Sequence, residues 1–556
     1  MYAIARTGFR RTTTAPSRIY SRVLSSVPQE EPTTGVVGDG DEYRNRKLSI
    51  LKHSHRNYYP PLRALSQEYD RRLRVSQFKD VYGAVDFTHF PSKKAPELVN
   101  LQGKIQSIRR NGKYMYFIDL SQDFVKVQVM ASNKMMDVPK DNFVENHHFL
   151  RKGDYINCIG HPSVSNTGEL SLKLTRPIDI LAPCLNSMVV PQHLSDRKTI
   201  NSNRILNYLV SPTARETILV KNLVIKLIRQ FLTAKQFMEF QTPLLNGNST
   251  GANARPFVTR SNHVDTELQL RVAPELWLKK LVISGFERIF EIGSSFRNEG
   301  IDATHNSEFT TCEFYQSFTD LDQLMGITQE LFTYLHSNLE VEGNALGLNI
   351  LHQTLPELQA LKEPFTRIEF IPTLEEKTGL QLPTELNSYN LVQYHQQLDL
   401  EVPEVRSPAV LLDNLAAVYL EPISHHSTKP VFIYNHPAEL SPLSKSTHIA
   451  YGSREYDISL RFELFINGKE YINAYEEENS PMDQLEKFKA QQSSKSDFND
   501  QEALIPDWNY IKSLEFGLPP TGGWGCGIDR LSMLFTNSER IDQVLPFGNV
   551  KDVLKN

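Results

Sequence analysis

Cysteine is scarce in this chain. Only four stand among 556 residues, Cys158, Cys184, Cys312 and Cys526, and no two have Cys-x-x-Cys spacing. Neither a disulfide framework nor a cysteine zinc site is therefore indicated, and a reducing compartment fits. Long apolar runs are missing too: none approaches the roughly 20 residues that a membrane span needs. Positive charge is not in excess. The formal net charge is −5, so any contact with nucleic acid must use local basic patches and not a global field. No internal repeat is visible. Acidic residues are absent before Glu30, while Arg6, Arg10, Arg11, Arg18 and Arg22 alternate with Ser, Thr, Ala and apolar residues. An acid-poor segment of this kind, over residues 1–29, has the profile of a mitochondrial transit peptide more than that of a plain basic tail.

What is present divides the chain. Residues 30–96 read as a polar linker and a basic, helical extension, Tyr43 to Val81, broken at Pro60-Pro61. From 97 to 183 the apolar period becomes two. Val99-Asn-Leu-Gln-Gly-Lys-Ile, Tyr114-Met-Tyr-Phe-Ile-Asp-Leu, Val125-Lys-Val-Gln-Val-Met, Asp154-Tyr-Ile-Asn-Cys-Ile-Gly and Leu170-Ser-Leu-Lys-Leu form five short strands between turns. Five such strands suit a small barrel of the OB type, although periodicity alone admits other barrels. Residues 184–213 read as an interdomain linker. From 214 to the end, helices and strands mix, beginning with an amphipathic helix from Ala214 toward Phe240. Gln491 to Gln501 reads as a polar, mobile surface insertion.

Three segments point to chemistry. Gly517-Leu-Pro-Pro-Thr-Gly-Gly-Trp-Gly-Cys-Gly-Ile-Asp-Arg530 places glycines at alternate positions, where a backbone can pass close to a ligand, and then an arginine at a strand-to-helix junction. Upstream stand Phe296-Arg-Asn-Glu-Gly300 and His305-Asn-Ser-Glu-Phe-Thr-Thr-Cys-Glu-Phe-Tyr315. Two distant arginines, Arg297 and Arg530, suit a polyphosphate held at two points. Arg461-Phe-Glu-Leu-Phe-Ile-Asn-Gly-Lys-Glu-Tyr-Ile-Asn-Ala-Tyr-Glu-Glu-Glu-Asn479 adds carboxylates on a strand. Cys312 and Cys526 read as small packed residues.

The first two of these segments, Gly517–Arg530 and Phe296–Tyr315, resemble motifs 3 and 2 of class II aminoacyl-tRNA synthetases. With Phe237-Met-Glu-Phe-Gln-Thr-Pro243, which looks like motif 1, the chain from about Leu98 to Val550 resembles the lysyl-tRNA synthetases of subclass IIb. The resemblance implies an α+β fold: an antiparallel-sheet catalytic domain with helices, preceded by an OB-fold anticodon-binding barrel. It implies ATP-dependent activation of L-lysine, transfer to tRNA(Lys), a magnesium requirement, a homodimer and work in the mitochondrial matrix. Arg297, Glu299, His305, Phe309 and Arg530 match the groups that hold ATP, with Arg297, His305 and Arg530 carrying the chemistry. Glu463 and Glu470 match the magnesium carboxylates. Glu275, Glu313, Tyr315, Asn473, Tyr475 and Glu477 match the lysine pocket, and Gly251 to Phe257 a segment that covers it. Arg109, Tyr114 and Glu169 match anticodon contacts, while Lys126 stands where some relatives have glutamine. Ser307 and Trp524 depart from the usual text, and Trp524 is expected to alter the pocket's shape. The competing readings are an aspartyl or asparaginyl enzyme, a lysine ligase acting on protein, and a non-catalytic RNA-binding or signalling relative. Three acidic pocket residues, the complete barrel, and the retained arginines and glutamates stand against these in turn.

Overall fold

The computed structural model describes residues 58–186, 194–247, 254–263, 265–499 and 506–554, with Arg44, Asn45, Leu48, Ser49 and Gly251. The stretch read as a transit peptide lies outside the described residues. The chain divides into two compact units, residues 1–191 and 192–556.

In the first unit, alternation of apolar and polar residues gives each strand one face for a core and one for water. The strands are β1 (Val99–Arg110), β2 (Met115–Gln122), β3 (Val125–Ser132), β4 (Tyr155–Val164) and β5 (Leu170–Leu174). They pair in the order β1-β2-β3-β5-β4, and β4 pairs back onto β1, which closes a five-stranded barrel. Leu101, Ile118, Leu120, Val129 and Leu172 fill its interior. The helix Val75–Tyr82 adds Val75 and Phe78 to the same core.

Over residues 58–81 the basic extension is less helical than its composition predicts. Before Val75 the residues from 58 onward form only a 3-10 turn, Leu62–Ala64, and a two-residue strand, Arg71–Arg72, lying parallel to the start of β1. Its charges are used locally. Arg72 donates to Gln102 at 2.6 Å, and Arg74 pairs with Asp123.

The second unit is built on an eight-stranded sheet. Its elements are α1 (Pro212–Ala234), β6 (Met238–Glu239), α2 (Glu275–Ile283), β7 (Arg288–Phe296), β8 (Glu308–Ser317), α3 (Leu321–Leu346), β9 (Thr366–Glu369), β10 (Val431–Tyr434), β11 (Arg461–Ile466), β12 (Lys469–Glu476), α4 (Pro481–Phe498), β13 (Thr521–Gly527) and α5 (Ile528–Thr536). The strand order is β9-β10-β11-β12-β13-β8-β7-β6, antiparallel except for a parallel pair at each edge. One face carries Phe314, Leu464, Ile472 and Trp524 into a core with α1, α3 and α5. The other face is left for the cavity described below. Between β9 and β10 the helices Phe370–Thr378, Ser388–Gln397 and Pro408–Tyr419 form a separate small core.

Two expectations change. Within the expected linker, Arg197–Ser202 and Arg204–Val210 are helices capped by Asp196 and Asn203, and Arg204 is buried, donating to the Asp542 carbonyl at 2.5 Å. The expected mobile insertion is helical through Phe498, because α4 starts at a Ser480 cap with Pro481 in its first turn and contains no internal breaker. Positions 500 and 501 lie outside the described residues.

Candidate active site

The alternate glycines of β13 have a directional meaning. Gly523, Gly525 and Gly527 face the cavity. A Cβ on Gly523 would sit 1.9 Å from the Glu477 Oε1 and 2.8 Å from the Tyr315 ring, so the strand must be bare there. Trp524 and Cys526 leave the strand on the opposite face. Trp524 stacks on Phe314 with centroids 4.9 Å apart, and its indole N–H donates to Thr328 at 2.9 Å. The expectation that Trp524 reshapes the pocket is thus corrected: its side chain belongs to the core.

A β-bulge sets the next group. β11 and β12 pair with Glu463 opposite Asn473 and Leu464 opposite Ile472, but then Phe465 opposite Glu470, which leaves Tyr471 without a partner. The extra residue turns Glu470 onto the face that bears Glu463 and Asn473. A regular strand would send it into the core.

A cavity of about 540 Å³ lies over this face. It is lined by all of the residues read from the sequence in this unit: Glu275, Arg297, Glu299, His305, Phe309, Glu313, Tyr315, Glu463, Glu470, Asn473, Tyr475, Glu477 and Arg530. Gly251 also lines it. Arg255 N–H donates to Glu299 at 3.2 Å, tying the covering segment to the loop after β7.

One end is basic. Arg530, in the first turn of α5, donates to the Glu470 carbonyl at 2.7 Å and lies 3.1 Å from the His305 Nε2. His305 Nδ1 is 2.9 Å from Asp302. Burial opposes ionisation of Asp302, but the N–H groups of Thr304 and His305 and the imidazole outweigh it and hold the carboxyl at about 2. The Arg297 guanidinium stands 5.2 Å from the centroid of Phe309, and its buried Nε has no hydrogen-bond partner.

Beside this end, Glu463 pairs with Arg461 and lies 3.4 Å from His436. Burial again works against the charge, yet Arg461 and His436 hold Glu463 at about 2. Glu470 is pushed upward, by burial and then by the charge of Glu463. Two carboxylates that disfavour each other's ionisation, on one face beside basic groups, fit a divalent cation. Among the described residues no group of three or more His, Cys, Asp or Glu converges as a ligand set. Phosphate oxygens and water would have to complete the shell, as magnesium tolerates.

The other end is acidic and buried. Glu275, Glu313 and Glu477 converge there with Tyr315 and Tyr475. Tyr475 donates to Glu275 at 2.6 Å and Tyr315 to Glu313 at 3.1 Å. Lys279, wholly buried on α2, meets Glu275 at 2.6 Å and also faces Glu477. Burial alone would drive Lys279 toward neutrality, but Glu275 and Glu477 keep it charged. Glu313 is pushed up to about 8, by burial and then by Glu275. Glu477 Oε2 lies against the Lys279 ammonium, and its Oε1 has no hydrogen-bond partner. Glu275 and Glu477 thus share one internal cation, and Glu313 has no ion pair among the described residues. Of the Glu476–Glu478 run only Glu477 lines the cavity. Glu476 accepts from the Leu321 N–H and Glu478 pairs with Lys487, at 3.0 and 2.7 Å.

The barrel holds a second candidate surface. On its outer wall Arg109 lies 3.5 Å from Asp119, Asp119 stands opposite Gln128, and Gln128 donates to Glu169 at 2.6 Å. Phe117 occupies the same wall between Arg109 and Met130 in register. Tyr114 is half-buried, with the Lys140 ammonium 5.3 Å from its ring. Sequence reading missed three of these residues. Lys279 has the look of a surface lysine beside Lys280. Phe117 and Gln128 could have been found by following the outward positions of the period-two pattern, on which Gln128 follows Lys126.

Residues 196–551 match tRNA synthetases class II (D, K and N), and residues 99–179 match the OB-fold nucleic acid binding domain. The chain is 36% identical over 576 aligned residues, 98% of each chain, to the mitochondrial lysine--tRNA ligase of Saccharomyces cerevisiae. It is 39% identical over 458 residues, 81% of this chain and 84% of the relative, to the mitochondrial lysine--tRNA ligase of Schizosaccharomyces pombe. A lysine--tRNA ligase of Carboxydothermus hydrogenoformans is 36% identical over 453 residues, 81% of this chain and 88% of the relative.

Proposed function

Because the chain belongs to the class II tRNA synthetases, in their lysine--tRNA ligase branch, we propose that it charges tRNA(Lys) with L-lysine for mitochondrial translation. One observation carries the substrate: three buried carboxylates, Glu275, Glu313 and Glu477, line one end of the cavity, and the internal ammonium of Lys279 pairs with only two of them. A buried cluster with more carboxylates than cations calls for a further cation. The ε-ammonium of lysine supplies it, with Glu313 as its second partner, while Glu275 and Asn473 receive the α-amine end. Tyr315 and Tyr475 wall the aliphatic stem. An aspartyl or asparaginyl enzyme would need a cation or amide readers where Glu477 and Glu313 converge.

The lysine carboxylate attacks the α-phosphorus of ATP. The bond to the bridging oxygen breaks, pyrophosphate departs, and lysyl-adenylate remains. A ribose hydroxyl at the 3′ end of the tRNA then attacks the acyl carbon and AMP leaves. Both steps depend on alignment and charge neutralisation more than on a general base. Arg297 is suited to hold the α-phosphate and the lysine carboxylate together. Phe309 offers a face to adenine, Glu299 an acceptor for its amino group, and Arg530 with His305 a grip on the γ-phosphate. Glu463 and Glu470 would hold magnesium, which supplies charge neutralisation at the phosphates when bound.

The finer parts of the reading follow from sequence features. The barrel wall of Arg109, Phe117 and Glu169, with Tyr114 at its rim, suits stacking and edge recognition of anticodon bases. The α1–β6 segment corresponds to the family's homodimer interface, and equilibrium sedimentation giving only monomer would remove that part. No described helix is long and apolar enough to cross a membrane. Residues 1–29 would direct the chain to the matrix, and a reporter bearing them that stays in the cytosol would count against it. The central test is ATP–pyrophosphate exchange with the full chain. Lysine should drive it, and aspartate or asparagine should not; exchange with neither lysine nor any other amino acid would end the enzymatic reading.

A further inference from the structure

Lys221 interrupts the buried side of α1. The helix directs Val220, Leu223, Val224, Leu227 and Ile228 into the core, and Lys221 is buried among this stripe. A buried ammonium is costly unless a partner meets it. Its partner is Asp529, also buried and 308 residues away in sequence. One Asp529 oxygen takes the Lys221 ammonium, and the other accepts the Thr310 N–H at 2.7 Å.

The second contact falls where the sheet runs out. β8 and β13 pair from Ser317 opposite Thr521 to Thr311 opposite Gly527. Beyond Gly527 the chain turns into α5, so Thr310 has no strand partner on that side. The Asp529 carboxylate stands in for one. A single side chain therefore joins α1, the beginning of β8 and the first turn of α5. The residues adjoining these ties face the cavity: Phe309 precedes Thr310, and Arg530 follows Asp529.

We propose that the Lys221–Asp529 pair is a positioning strut for the nucleotide site, fixing Arg530 relative to Phe309 through α1. The proposal rests on the reading of Phe309 and Arg530 as ATP-binding groups. A carboxylate is suited to the task because its two oxygens diverge in one plane and set the directions of both ties. Asp529 borders the cavity, but its two oxygens are taken by Lys221 and the Thr310 N–H. The pair acts through its neighbours, so its loss should be felt by ATP and not by lysine.

The experiment is pyrophosphate exchange with the full chain, measuring KM for ATP and for lysine separately, alongside thermal melting. The double variant Lys221→Met with Asp529→Asn removes both charges and leaves no lone buried ion. It should raise the KM for ATP about tenfold, as expected of a displaced positioning group, and leave the lysine KM within about twofold. Lys221→Arg keeps the charge and should keep the ATP KM within about twofold. Should the double variant fold too poorly to assay, Lys221→Gln, which can still donate to Asp529, should show a smaller rise of the same kind. An unchanged ATP KM in a folded neutral variant, or equal rises for ATP and lysine, would make the pair structural support only. Failure of the wild-type chain to exchange with lysine would instead strike the functional reading itself.

Discussion

The two ends of the cavity hold charge in different ways. At the basic end, His305 and Arg530 keep 56% and 23% of their side-chain surface in contact with water, and each already has protein partners. At the acidic end, the side chains of Lys279 and Glu477 are fully buried. Water screens the first and not the second. An exposed cationic end can therefore accept a flexible polyanion and tolerate partial loss. A buried anionic end must be matched charge for charge, and on the proposed reading this is where discrimination between amino acids would reside.

The largest expected effect tests that contrast directly. Glu477→Gln keeps the shape and removes the charge, so the incoming ε-ammonium and Lys279 would share too little compensation. Breaking a buried pair costs about 3–5 kcal/mol, a rise of about 150-fold to several thousandfold in lysine KM, with the ATP KM little changed. Glu476→Gln and Glu478→Gln should fall far short of it, because neither lines the cavity. Equal effects across the three substitutions in exchange assays would sink the contrast. At the basic end, Arg530→Ala should lower kcat for exchange by about a hundredfold, the usual result of removing one preorganised donor. Near-normal exchange would mean that Arg530 is not a phosphate group.

A change remote from both ends should move neither. Phe117→Ala together with Arg109→Ala should reduce tRNA charging about tenfold, from stacking and contact terms of about 1–3 kcal/mol per base, while lysine activation stays normal. Tyr114→Ala should do less than Phe117→Ala, since Lys140 already covers its ring. A parallel fall in exchange would make the barrel wall structural. The smallest effect concerns pH. Glu313 is held protonated up to about 8 in the free pocket, and on the proposed reading lysine needs its carboxylate. Binding must then release a proton, so lysine KM should fall severalfold as pH rises from 7 to 8 and level off above that. ATP KM should stay flat over this window. Glu313→Gln should abolish the slope, and a lysine KM that rises with pH would reverse the assignment.

Much of this was legible in the sequence, for reasons that particular residues make plain. Arg297, Arg530 and the alternate glycines lie in contiguous motifs whose spacing survives in one dimension. The five barrel strands follow from strict alternation. Lys279 was not legible, because a lysine on an amphipathic helix is ordinarily solvated and only the fold brings it between Glu275 and Glu477. The helical end of α4 was misread because its polar composition resembles a loop, whereas capping at Ser480 and the absence of a breaker decide the matter. The effect expected of Trp524 on the pocket's shape fails because a strand has two sides, and the motif's alternation puts its alternate glycines on the cavity side and Trp524 on the core side.

The bulge at Tyr471 has a consequence for how such chains are compared. Sequence columns align residues by count, while a strand aligns them by side. A one-residue gap placed in the β11–β12 hairpin would leave every glutamate in the alignment and exchange which of them face the substrate. Two relatives could then share Glu470 by column and lack it by orientation. Kinship at this hairpin is a matter of parity before it is a matter of identity.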